Sequence, residues 1–269
     1  MSYVNTGIMK KLYVFGDSYG VHFNRDYTNP TIAWSWINLL KERLGVDQVV
    51  NRSDLGVSNE YIQYQIMCEE RNIKKQDVVL IISTSIMRKW FWKEFPYANI
   101  YANNLSSIVG KDRAEAGKAY LKNMFNIEFH SMTFYQFLGW VHHLTDTNGW
   151  NTIIIPGFEE RGYPVSHRYQ VRGSLIDICE KEFESKNTLD WYWLNFKGLD
   201  QRAGHLCKDN HQILADKIYS TLATGVELDL TVGFREKMIS KNNFDSIKDQ
   251  LMDFKDFNLE NFHIRERHE

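Results

Sequence analysis

Residues 78–82 read Val-Val-Leu-Ile-Ile. An unbroken apolar, largely β-branched run has no polar alternation, so it suits a strand covered on both faces of a sheet. Such strands belong to parallel sheets, whose neighbours are joined by crossover connections, usually helices. Residues 11–15, which run into Gly16, and Ile153-Ile154-Ile155 before Pro156-Gly157 carry the same signal. Val49-Val50 is a shorter strand candidate.

Helical spacing fills the gaps between these runs. Ala33, Ile37, Leu40 and Leu44 recur on one face before Gly45, a stop residue. Ser58 is a cap candidate for a helix carrying Ile62 and Ile66. Phe134, Phe137, Leu138, Val141 and Leu144 line a longer helix that Gly149 ends. Ser174 precedes Leu175, Ile178 and Phe183. Asp209 with Gln212 has capping-box spacing at the start of a helix carrying Leu214, Ile218 and Leu222. This order predicts an α/β chain, a three-layer α/β/α sandwich with a mainly parallel sheet.

Two stretches leave that rhythm. Residues 86–128 hold Trp90-Phe91-Trp92, Phe95, Tyr97 and Tyr101, then a helical pattern around residues 114–125, and read as an aromatic-rich insertion or enlarged crossover. Residues 189–194 are either a last strand or an irregular aromatic segment. The α/β body is expected over residues 1–224. Residues 225–269 are polar and charged, yet Phe234, Met238, Phe244, Ile247, Leu251 and Phe254 give them apolar spacing, so a partly helical C-terminal appendage is expected there.

A formal net charge of −2 and mixed-sign charged tracts give no footprint for nucleic acid. Cys68, Cys179 and Cys207 are too scattered for a disulfide framework or a thiolate metal site. Neither a secretory leader nor a bilayer-length apolar run is evident, so synthesis in the cytoplasm without a signal peptide is the expectation.

The chemistry concentrates where strands end. In a parallel sheet functional loops gather at the strands' C-terminal ends, which places Ser18, in Gly16-Asp17-Ser18-Tyr19-Gly20, at such an edge. Taken alone, Gly-Asp-Ser is ordinary turn vocabulary. A remote histidine, His205 after Gly204, would complete the minimum for serine-based hydrolysis.

In these blocks the chain resembles the SGNH, or GDSL-type, family of serine esterases and acylhydrolases. Gly16-Asp17-Ser18 matches the first block, and Gly56 in Asp54-Leu55-Gly56-Val57-Ser58-Asn59 looks like the oxyanion glycine of the second. His205, followed by His211 and Leu214-Ala215, resembles the closing pattern. The resemblance spans roughly residues 11–223 and implies a flavodoxin-like sheet. It also implies Ser18 as nucleophile, His205 as base, and an oxyanion hole from Ser18, Gly56, Thr84 and Asn59.

Two positions depart from the family pattern. Where Gly-x-Asn-Asp follows the third block's strand, this chain has Ser83-Thr84-Ser85 with Arg88 beyond, a variant resembling a branch met in tailed bacteriophages. Thr84 would then offer its hydroxyl or a nearby amide. The family's aspartate lies three residues before the histidine, and that position is Arg202. Asp200 is favoured as the orienting acid, with Asp209, Asp190 or a backbone carbonyl left open.

The implied substrate is a small ester or acylated carbohydrate, acetyl being the expected group, with no cofactor or metal. Arg88, Trp90 and Trp92 are the substrate-contact candidates. For Arg88 the alternative is a carboxylate partner; for the tryptophans it is a satellite core or an oligomer contact. No nucleic acid or membrane partner is expected, while a homo-oligomer or virion association stays open. The rival function is a structural or binding module of a phage particle on an esterase-like fold.

Overall fold

A computed structural model describes residues 10–21, 35–94, 105–158, 169–184 and 206–240. Its main sheet holds β1 (Lys11–Phe15), β2 (Gln48–Asn51), β3 (Val78–Ser83) and β4 (Asn151–Pro156). All pairs are parallel and the order is β2-β1-β3-β4. Leu12 lies opposite Val78, and Val78 opposite Asn151, so β3 is flanked on both edges. Every residue of β3 is buried, as its unbroken apolar run requires.

Strand alternation divides the core in two. Leu12, Val14, Leu80, Ile82 and Ile153 join one cluster, together with apolar residues of α1 (Trp36–Leu44), α6 (Leu175–Lys181) and α7 (Lys208–Thr224). Tyr13, Phe15, Val79, Ile81 and Ile154 join the other, with α2 (Asn59–Glu69) and α5 (Ile127–Asn148). Helices therefore flank a parallel sheet in a three-layer α/β/α arrangement.

Local signals set the helix ends. Ser35 Oγ accepts the Asn38 amide at the start of α1, and Gly45 closes it at φ +62°. Ser174 and Asp177 form a reciprocal capping box on α6. The box expected from Asp209 and Gln212 is not formed. Cys207 is the N-cap of α7, without a side-chain cap bond, and Asp209 sits inside the first turn. Asp209 faces Arg235 instead, at 3.6 Å. A negative charge in a first turn is favourable without capping, so composition alone does not separate the two placements.

In the aromatic-rich stretch, α3 (Leu105–Val109) and α4 (Lys111–Asn123) build a small cluster of Leu105, Val109 and Ala114, against which Trp92 and Tyr120 pack. Residues 95–104 and 189–194 lie outside the described residues. A two-stranded parallel sheet pairs β5 (Val171–Arg172) with β6 (Leu228–Asp229). Residues 226–240 are tied to the body: Leu228 and Leu230 enter the first core cluster, and Ile239 bridges Phe183. Asn210 accepts the Arg235 amide at 2.7 Å and donates to the buried Glu182 at 2.6 Å. The apolar positions from Phe244 onward lie outside the described residues.

Candidate active site

β1 runs next to both β2 and β3, so the chain reverses its direction of sheet growth there. The crevice outside the carboxyl ends of β1 and β3 is the favoured ligand position in such sheets. Gly16 lets these ends approach: a Cβ there would lie 2.7 Å from Ile82 Cβ. The chain then tightens into a 3₁₀ turn, Ser18–Gly20, in which Asp17 Oδ1 accepts the Tyr19 amide at 3.1 Å and Asp17 O accepts that of Gly20 at 3.0 Å. Within residues 12–21 Ser18 alone is not buried. Tyr19 is buried, and burial beside Cys179 pushes its phenol well above the usual tyrosine range.

Asp17 holds the two loops together. It is fully buried, and its Oδ2 accepts from Arg88 Nη1 at 2.7 Å and from Thr84 Oγ1 at 2.9 Å. Arg88 Nη1 also donates to Thr84 Oγ1 at 2.7 Å, and its guanidinium lies 4.8 Å from the Phe158 ring centre. Arg88 thus takes a carboxylate of the protein itself. The sequence reading gave Asp17 no role. The available signal was an arginine four positions past a threonine that follows a strand beside Gly-Asp-Ser.

Asn59, the first residue of α2, joins Thr84 through a reciprocal pair. Its Oδ1 accepts the Thr84 amide at 2.9 Å, and its Nδ2 donates to the Thr84 carbonyl at 2.7 Å. The Thr84 hydroxyl proton is directed at Asp17 and the Thr84 amide at Asn59. Neither points freely into a cavity. Asn59 keeps a second amide hydrogen. Gly56 sits in a turn at φ +64°. Two residues earlier, Asp54 N–H donates to Gly16 O at 3.1 Å, which runs the Gly56 loop along the Ser18 loop.

The turn is also tied to α7. Trp36 Nε1 donates to Tyr19 O at 2.9 Å, while the Trp36 amide donates to His211 Nδ1 at 3.1 Å. An amide can only donate, so His211 Nδ1 accepts. Tyr19, Trp36 and Leu206 share one core cluster. His205 immediately precedes Leu206. His205, Asp200 and Asp190 themselves lie outside the described residues. The linking role of Trp36 was not read from sequence; the sign was an indole, apolar with a polar tip, directly after a capping serine.

Trp90 packs edge-on against Tyr61 at 5.2 Å between ring centres and donates its indole hydrogen to Trp92 O. Trp92 leans on the α3–α4 cluster. Both thus take part in packing. Among the described residues there is no group of His, Cys, Asp and Glu suited to a metal, and no helix long and apolar enough to cross a membrane. No family model matches the chain, and a search of curated proteins found no match.

Proposed function

We propose that the chain is a serine ester hydrolase of the SGNH type that removes a small acyl group, acetyl first, from a carbohydrate or similar alcohol. The observation that carries this reading is the Trp36 bridge. It fixes the solvent-reaching Ser18 turn to the first turn of α7, and His205 stands three positions before Lys208, where that helix starts. The strand order β2-β1-β3-β4 supports the flavodoxin-like arrangement.

In this reading His205 accepts the Ser18 proton as Oγ attacks the ester carbonyl carbon. The oxyanion is held by the Ser18 and Gly56 amides and the remaining Asn59 amide hydrogen. His205 returns its proton to the leaving alcohol. Water, deprotonated by His205, then attacks the acyl-enzyme, and Ser18 regains its proton as the acid leaves. Asp200 orients His205, with Asp190, Asp209 or a backbone carbonyl as alternatives.

A second reading is favoured by one observation. Both Thr84 donors are engaged within the protein, so the third block offers no side-chain donor to an oxyanion. That suits a binding or structural module of a phage particle. Turnover of an activated acetyl ester separates the two: the hydrolase reading expects turnover that Ser18→Ala abolishes, and turnover unchanged in that variant refutes it.

A further inference from the structure

On the opposite side of the sheet from Trp36 lies a cavity of about 370 Å³, within the usual range for small-ligand sites, about 300–1,000 Å³. Asn59, Glu60 and Gln63 of α2, Lys89 beyond β3, and His130 and Trp140 of α5 line it. Asn59 bonds Thr84 just after β3, so one wall of this cavity lies at the end of the sheet that also carries Ser18.

Its polar groups are incompletely matched, although the Glu60 side chain as a whole is partly exposed. Lys89 is largely buried, and its ammonium donates to Glu60 Oε1 at 2.5 Å. An ammonium has three hydrogens, and Lys89 makes no other hydrogen bond among the described residues. Glu60 Oε2 and His130 Nδ1 are buried without a hydrogen-bond partner there. Burial and the nearby Lys89 charge hold the His130 imidazole below the usual histidine range. Its Nε2 pairs with Tyr120 Oη at 2.9 Å. Enclosed polar atoms without partners are unfavourable, and an occupant that supplies the missing bonds relieves them.

The lining selects the occupant. A carboxylate ligand meets Lys89 but is repelled by Glu60; an amine meets Glu60 but is repelled by Lys89. A hydroxyl both donates and accepts, so neighbouring hydroxyls on one ring match an ammonium and a carboxylate together, and Gln63 extends the same pairing. Trp140 offers an apolar wall to the carbon face of such a ring. We infer that this cavity binds one neutral sugar residue through Glu60, Lys89 and Gln63. Its service as the carbohydrate part of an ester substrate rests on the hydrolase reading; the binding itself does not.

The test is saturation-transfer NMR on the full chain carrying Ser18→Ala, with methyl α-glucopyranoside and methyl N-acetyl-β-glucosaminide as probes and benzoate as the charged comparison. Because Ser18→Ala cannot turn over ester, loss of catalysis cannot imitate loss of binding. Transfer to the ring protons of at least one glycoside is expected. Kd should rise at least tenfold when the pair is neutralised as Glu60→Gln with Lys89→Met. Gln63→Ala, at a partly buried position outside the core clusters, should raise Kd about threefold. Absence of transfer to both glycosides, binding unchanged in Gln63→Ala, or preference for benzoate overturns the inference.

Discussion

Arg88 and Asp17 form an ion pair 2.7 Å long between the loop after β3 and the loop after β1, with the Asp17 side chain wholly shielded from solvent. Removing the guanidinium would leave a buried carboxylate supported only by Thr84 and the Tyr19 amide. Breaking a buried pair from one side costs about 3–5 kcal/mol, whereas replacing both partners is often near neutral. Arg88→Met should therefore lower unfolding free energy by about 3 kcal/mol, and Asp17→Asn with Arg88→Met should recover most of it. Urea unfolding measures both. Equal losses in the single and double variants would mean that the pair is not the link between the loops.

The reciprocal Asn59–Thr84 bonds allow a finer comparison. Asn59→Ala strips partners from the Thr84 amide and carbonyl together and should destabilise by about 2–6 kcal/mol, from roughly 1–3 per buried unsatisfied group. Asn59→Leu, closer in volume, should lose nearly as much, since the missing bonds dominate over packing. Retention of stability in the leucine variant would reverse that ranking.

Thr84→Val tests which donors serve an oxyanion. The hydroxyl proton is directed at Asp17, so the expected effect is a stability loss of about 1–3 kcal/mol with acylation slowed less than tenfold. A fall of about 10²–10³, the size seen when an oxyanion donor is lost, would place the hydroxyl on the substrate. Single-turnover kinetics with an activated acetyl ester distinguishes the outcomes.

Much of the scaffold was legible because its signals are local. The run at residues 78–82 needs two covered faces, and Gly45 and Gly149 stop their helices at φ +62° and +65°. The mutual arrangement of site groups was not legible. Thr84 was read as a substrate donor because its place after β3 resembles a known block, but only the fold shows that Asp17 and Asn59 take both its hydrogens. Asp209 with Gln212 satisfied the capping pattern, yet α7 begins two residues earlier than that pattern requires. Trp36 gave no motif at all, because its two partners lie 17 and 175 positions away.

Trp36→Phe keeps the backbone bond to His211, removes the indole hydrogen on Tyr19 O, and replaces a fully buried indole with a smaller ring. A single hydrogen bond contributes about 0.5–1.5 kcal/mol and the smaller ring leaves a cavity, so stability should fall by about 2–3 kcal/mol. If the bridge positions the Ser18 turn against α7, kcat/KM for an acetyl ester should fall about tenfold while KM changes little. Catalysis unchanged beside that stability loss would make the bridge structural alone.

Acid should destabilise the protein through His130. Burial and Lys89 hold its imidazole below the ordinary value near 6.5, and burial lowers His142 as well. As pH falls through about 6.5 the unfolded chain takes up these protons first, so stability is lost from there down to the folded-state values and is fully present above 6.5. In His130→Gln the slope between pH 6.5 and lower values should be shallower. An identical slope would assign the acid response to other groups.

Covalent labelling tests the central claim most directly. The full-length protein is treated with a serine-directed phosphonate, and its intact mass and labelled peptide are measured. One adduct located on Ser18 is expected, absent in Ser18→Ala and slowed at least a hundredfold in His205→Ala. No adduct on the wild-type protein, or an adduct that forms equally fast without His205, would contradict a Ser18–His205 hydrolase.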